Sequence, residues 1–154
     1  MQGRPTEDRS NTMSTAHAIA IAATFVWLGM VAAISFIEAP LKFRAPGVTS
    51  RIGLGIGRLV FRALNAVEAV LAAVMFLALL IDHEEGSKLA VASLAAVVLV
   101  IQLVAVRPAL TRRSDAVLSG ATGQRSQAHL VYIALEVAKV VLLVITGVVL
   151  LGEV

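Results

Sequence analysis

The apolar positions of the chain fall into four long runs, over about residues 17–39, 55–81, 89–110 and 127–151, separated by short polar stretches. Each run holds roughly 20 residues or more, enough for an α-helix to cross a hydrocarbon core about 30 Å thick. A soluble helix of this length would carry a polar face about half its circumference wide. These runs carry only a narrow polar stripe. The pattern therefore predicts an all-α, four-span transmembrane helical bundle over residues 16–154. Residues 1–15 are polar and lack an apolar period, so they read as a disordered tail in which Met13 is a possible true start.

The polar residues inside the runs are spaced for a helix, whose period is 3.6 residues. In the second run Arg58, Arg62, Asn65 and Glu68 share a face, and in the fourth His129, Tyr132, Glu136 and Lys139 do. In the first, Thr24, Trp27, Val31, Ser35 and Glu38 line up, and the run is expected to end at Pro40. In the third, Ser93 and Gln102 point to opposite sides and form no stripe. A rise of about 1.5 Å per residue puts Glu68 and Glu136 at similar depth near the middle of the bundle. The other polar groups gather toward one membrane side, leaving the other half almost purely aliphatic.

A lone charge at mid-membrane costs about 2.5–3.5 kcal/mol on insertion scales. Glu38, Glu68, Glu136, Arg58, Arg62 and Lys139 should therefore be paired. The expected structural ion pairs join Glu38 to Arg58 or Arg62, and Lys139 to Glu136 or Glu68. Glu68, Glu136, Lys139, His129, Tyr132 and Asn65 are the candidates for a cavity that binds an ion or a proton.

Composition agrees with a membrane: 58% of residues are hydrophobic and 15% charged, with mean hydropathy +0.89. There is no cysteine, which removes disulfides, thiolate catalysis and zinc–cysteine sites. The basic residues cluster in the first and third connections, residues 40–54 and 111–126, whereas the second reads DHEEGSK. That asymmetry is a topology signal rather than a nucleic-acid footprint. It places those two connections in the cytoplasm, with both termini outside an inner (plasma) membrane. Gly53, Gly55 and Gly57 lack the context of a phosphate loop, and Gly53 with Gly57 reads as a GxxxG packing motif. No di-metal Glu-x-x-His pattern, facing histidine pair or catalytic triad is present, so neither a metal nor a cofactor is expected.

The stretches ISFIEAPLKFRAPG, GLGIGRLVFRALNAVEAV, RPALTRRSD and AHLVYIALEVAKVV resemble a family of small bacterial four-helix integral membrane proteins of unknown function. That resemblance implies a four-span protein and transfers no activity. The functional expectation is a small transporter or channel-like protein, homo-oligomeric in the lipid bilayer. Its polar cavity would open to the cytoplasm and handle a cation or proton. Two alternatives stay open: a membrane enzyme acting on an isoprenoid or quinone-like substrate, and a structural subunit of a membrane complex.

Overall fold

The computed structural model describes residues 14–83, 86–119 and 127–152, apart from the side chains of 113, 114, 117, 118 and 127–129. It is all-helical, with no strand among the described residues. Helix α1 runs Thr15–Arg44, α2 runs Ser50–Ile81, α3 covers 87–118 and α4 runs Gln127–Leu151. All four are long and apolar enough to cross a membrane. Leu59, Leu77, Ile81, Val104 and Val148 stand on their outer surfaces, where lipid accepts them.

Local chemistry sets the helix starts. Ser14 is extended, and its hydroxyl accepts the His17 backbone N–H at 3.0 Å. Ser14 therefore caps α1 from within the stretch expected to be a tail; residues 1–13 lie outside the described residues. Thr49 caps α2 in the same way. Gly86, at φ +75°, precedes α3 in a left-handed conformation that favours glycine.

Three helices extend past the apolar runs. α1 does not stop at Pro40 but continues to Arg44, α2 begins at Ser50, and α3 runs on to Leu118 through the expected loop. The way α1 and α3 pass their prolines explains this. In α1 the segment Ala32–Glu38 is a π-helix, and in α3 the segment Gln102–Val106 is another. Each ends two residues before a proline, Pro40 or Pro108. A proline inside an α-helix lacks the N–H and its ring crowds the carbonyl four residues back. Wider winding relieves that clash. The Ala39 N–H reaches Ile34 O and the Arg107 N–H reaches Gln102 O, both five residues back.

α1 packs most extensively on α2 and also on α4, α4 packs on α3, and α2 and α3 meet less closely. The chain order around the bundle is thus α1, α2, α3, α4, with α2 and α4 across a diagonal. The apolar core holds Ala20, Ala23, Trp27, Val31, Ala72, Met75, Ala78, Leu79, Ala92, Ala95, Leu99, Leu143 and Leu150. The alanines let the helix backbones approach closely. Among the described residues this core fills the half nearer the α2–α3 connection, here called the Asp82 end.

That end is not purely aliphatic, contrary to the sequence expectation. His17 and Lys88 are buried there. His17 Nδ1 lies 3.1 Å from Asp82 Oδ2, and its Nε2 lies 3.0 Å from Leu150 O. The Ser14 hydroxyl also donates to Asp82. The start of α1 is thereby tied to the ends of α2 and α4, which fixes α2 and α4 as parallel to each other and antiparallel to α1. The Ser14 hydrogen bond, followed by those from His17, holds the Asp82 carboxyl below its usual 3.8. Because the folded form has the lower value, this tie stabilises the fold above that pH and is lost as pH falls through the folded value. Acid melts in detergent should show wild type losing stability below about pH 4 more steeply than Asp82→Asn. Parallel curves for the two proteins would remove Asp82 from the clasp.

Candidate functional site

At the middle of the bundle one lysine meets two carboxylates. Lys139 Nζ on α4 lies 2.5 Å from Glu68 Oε1 on α2 and 3.2 Å from Glu136 Oε1 one turn back on α4. All three side chains are sealed off, with relative exposures of 0% for Glu68 and Lys139 and 1% for Glu136. Glu68 lies about 20 Å from the α2 terminus at Ile81 by helical rise, deep in the membrane by that measure.

Two residues from the π segments complete the shell. Gln102 Nε2 donates to Glu136 Oε1 at 3.0 Å, and its Oε1 accepts from Lys139 at 2.8 Å. Ser35 Oγ donates to Glu136 Oε2 at 3.1 Å. From the core side, Trp27 Nε1 donates to Glu68 Oε1 at 2.9 Å. All four helices therefore converge on one ionic cluster. Burial strengthens these bonds and makes any unmet one costly.

The sequence candidates divide as follows. Glu68, Glu136 and Lys139 are brought together. Asn65 and Tyr132 are buried beside them, with Tyr132 edge-on to Phe61 at a centroid distance of 5.5 Å. The side chain of His129 lies outside the described residues. The expected pairing of Glu38 with Arg58 or Arg62 does not form. Because α1 continues past Pro40, Lys42 stacks one turn beyond Glu38 and pairs with it at 3.2 Å. Arg58 instead pairs with Asp115, which the extension of α3 carries alongside α2. Arg62 is exposed. An open cavity is likewise not what the cluster lines, since its charged groups are occluded on every side.

The glycine motif works as a packing device. A Cβ at Gly53 would strike the Phe43 ring, and one at Gly57 would come within 2.9 Å of Lys42 Nζ. Both glycines thus admit the end of α1.

Trp27, Ser35 and Gln102 were not among the site candidates, although Trp27 and Ser35 lie on the face read for the first run and a signal for Gln102 was present. Lys88, Ala92, Ala95, Leu99, Gln102 and Val106 are the buried positions of α3, at offsets 0, 4, 7, 11, 14 and 18. Ala92 and Ala95 mark the inner face, and Gln102 falls on it at the same helical spacing. Ser93 lies off that face and donates to Leu89 O of its own helix at 2.6 Å.

No family model, curated protein or solved structure matches this chain. Its four spans make it a small multi-pass membrane protein. The resemblance seen in the sequence extends to that architecture and no further.

Proposed function

We propose that this protein is a small transporter or channel-like protein whose Glu68–Lys139–Glu136 cluster takes up a cation or a proton during transfer. The supporting observation is the uneven ion pairing. With both carboxylates ionised, two of them against one ammonium would leave one excess negative charge in the bundle interior. A purely structural clamp needs only one acid and one base. The excess calls for a positive partner that comes and goes. The π segments favour the same reading, because such bulges often sit at functional sites. Here they carry Ser35 and Gln102 to Glu136. The bundle as described would be the occluded state of the cycle.

Reconstituted into liposomes, the protein is expected to carry ion flux under an imposed sodium or proton gradient. Glu68→Gln and Glu136→Gln should abolish that flux while remaining folded. Wild-type vesicles that leak no faster than empty ones would defeat the transport reading. A quinone or isoprenoid co-purifying at one per chain would favour the enzyme instead.

We also place the arginine-bearing connections in the cytoplasm of an inner membrane, from the charge asymmetry between the loops. With Gly86→Cys and Ser119→Cys made singly, an impermeant thiol reagent applied to intact cells should label the first and spare the second. The opposite labelling would invert the topology.

A further inference from the structure

The two carboxyl groups of the cluster are not equivalent. Glu136 accepts from Ser35, Gln102 and Lys139, and the Tyr132 hydroxyl also reaches it as a donor, so both of its oxygens are served. Glu68 takes Lys139 and the Trp27 indole on Oε1 alone. Its Oε2 has no hydrogen-bond partner, and neither has Asn65 Oδ1. Both side chains are more than nine-tenths buried, at 0% and 4% relative exposure.

Asn65 precedes Glu68 by three positions on α2, so the two side chains are neighbours on one face, with about 5–6 Å between their Cβ atoms. An ionised carboxylate and an amide oxygen are both acceptors and cannot bond each other. Left bare in the interior each is costly, the charged one most. One proton removes both costs. On Oε2 it makes Glu68 a donor to Asn65 Oδ1, while Oε1 goes on accepting from Lys139 and Trp27. It also balances the charge, because Lys139 is then matched by Glu136 alone. Turning the Asn65 amide over would bring an N–H to Oε2 but leave the second negative charge in place.

We infer that Glu68, not Glu136, is the proton-binding group of the cluster: it holds a proton on Oε2 and donates it to Asn65 Oδ1, while Glu136 stays ionised as the partner of Lys139. Among the described residues the charged and titratable groups around Glu68 are Lys139, Glu136 and Tyr132, all on α4. α1 presents only the neutral Trp27 indole. On α3 Arg107 is half-buried and acts on Tyr132, with no ion pair to either carboxyl group. The inference rests on the transport reading for the role of the proton, taken from water on one side and returned on the other, and deepens it by naming the ion. Releasing the proton bares both oxygens and restores the excess charge, so the occluded bundle is stable only when loaded.

Infrared spectra of the purified full chain in detergent, at neutral pH in H2O and in D2O, read the proton directly. A protonated carboxyl has a C=O stretch apart from the amide band, and it shifts on deuteration. Wild type should show that band, whereas surface carboxylates are ionised and silent there. Glu68→Gln should lose it and stay folded, because glutamine offers the same donor and acceptor as the protonated acid. Asn65→Leu should keep the band but move it to higher frequency, since the O–H then donates to nothing. Ser35→Ala removes a donor from Glu136 only and should leave the band in place. If Glu68→Gln fails to accumulate, the Asn65→Leu and Ser35→Ala pair decides alone. A folded wild type without the band overturns the inference. So does a band that Asn65→Leu leaves in place or that Ser35→Ala moves, the latter putting the proton on Glu136. The expected bands without proton flux in liposomes keep the proton site and remove the transport reading. Proton flux from a chain lacking the band does the reverse.

Discussion

Lys139→Met is expected to destabilise the bundle by about 3–5 kcal/mol, the usual cost of removing one partner from a buried ion pair. The loss is large because Lys139 serves three acceptors at once: Glu68 Oε1, Glu136 Oε1 and Gln102 Oε1. Methionine fills most of the volume, so packing changes little and the charge effect dominates. Both carboxyl groups would then remain in a low-dielectric interior with no counter-charge within contact. The measurement is thermal unfolding in detergent, together with the amount of protein that accumulates in the membrane. Adding Glu68→Gln and Glu136→Gln to the same chain should recover most of the loss, because uncharged amides no longer need the ammonium. Such a chain should be folded and without flux. If Lys139→Met melts with wild type, the carboxylates are neutral in the native state and the ion-pair account fails.

Gln102→Leu comes next in size, at about 3 kcal/mol, taking two hydrogen bonds to charged groups at the low end of roughly 1.5–3 kcal/mol each because Lys139 and Glu136 keep their other partners. The side-chain amide is used from both sides, donating to Glu136 and accepting from Lys139. Leucine keeps the bulk and removes both contacts, leaving each charge one partner short. Ser93→Leu is the matched control on the same helix. Ser93 is half-buried and bonds only to its own backbone, so its replacement should fall within about 0.5 kcal/mol of wild type. Equal melting temperatures for the two variants would mean that Gln102 only fills space. The same pair separates structure from transport. If Gln102 positions Glu136, its loss should reduce flux by more than the loss of folded protein accounts for.

The sequence by itself determined the four spans and the inner faces of three of them, Thr24, Trp27 and Val31 on α1 included. Hydrophobic runs of about 20 residues leave a helix across lipid as the stable choice, because backbone groups there must be satisfied internally. Period 3.6 then selects which polar residues travel together, and Asn65 with Glu68, and Tyr132 with Glu136 and Lys139, are indeed buried. Periodicity says nothing about how far one helix is rotated against the next, so it left the partners open. Only the tertiary structure decided that Lys139 reaches across a diagonal to Glu68, and that α3 turns Gln102 inward.

The two prolines were read as terminators, which is what a proline does to regular α-helical bonding. In the folded chain the π segments before them absorb the clash, so α1 and α3 continue. That single difference moved Glu38 from Arg58 to Lys42 and gave Arg58 to Asp115. The His17–Asp82 clasp was equally hidden, since its partners lie 65 positions apart and meet only once α1 and α2 run antiparallel. Spacing along one helix fixes faces. Contacts between helices depend on rotation, register and the bulges that shift both, and those are set only when the bundle packs.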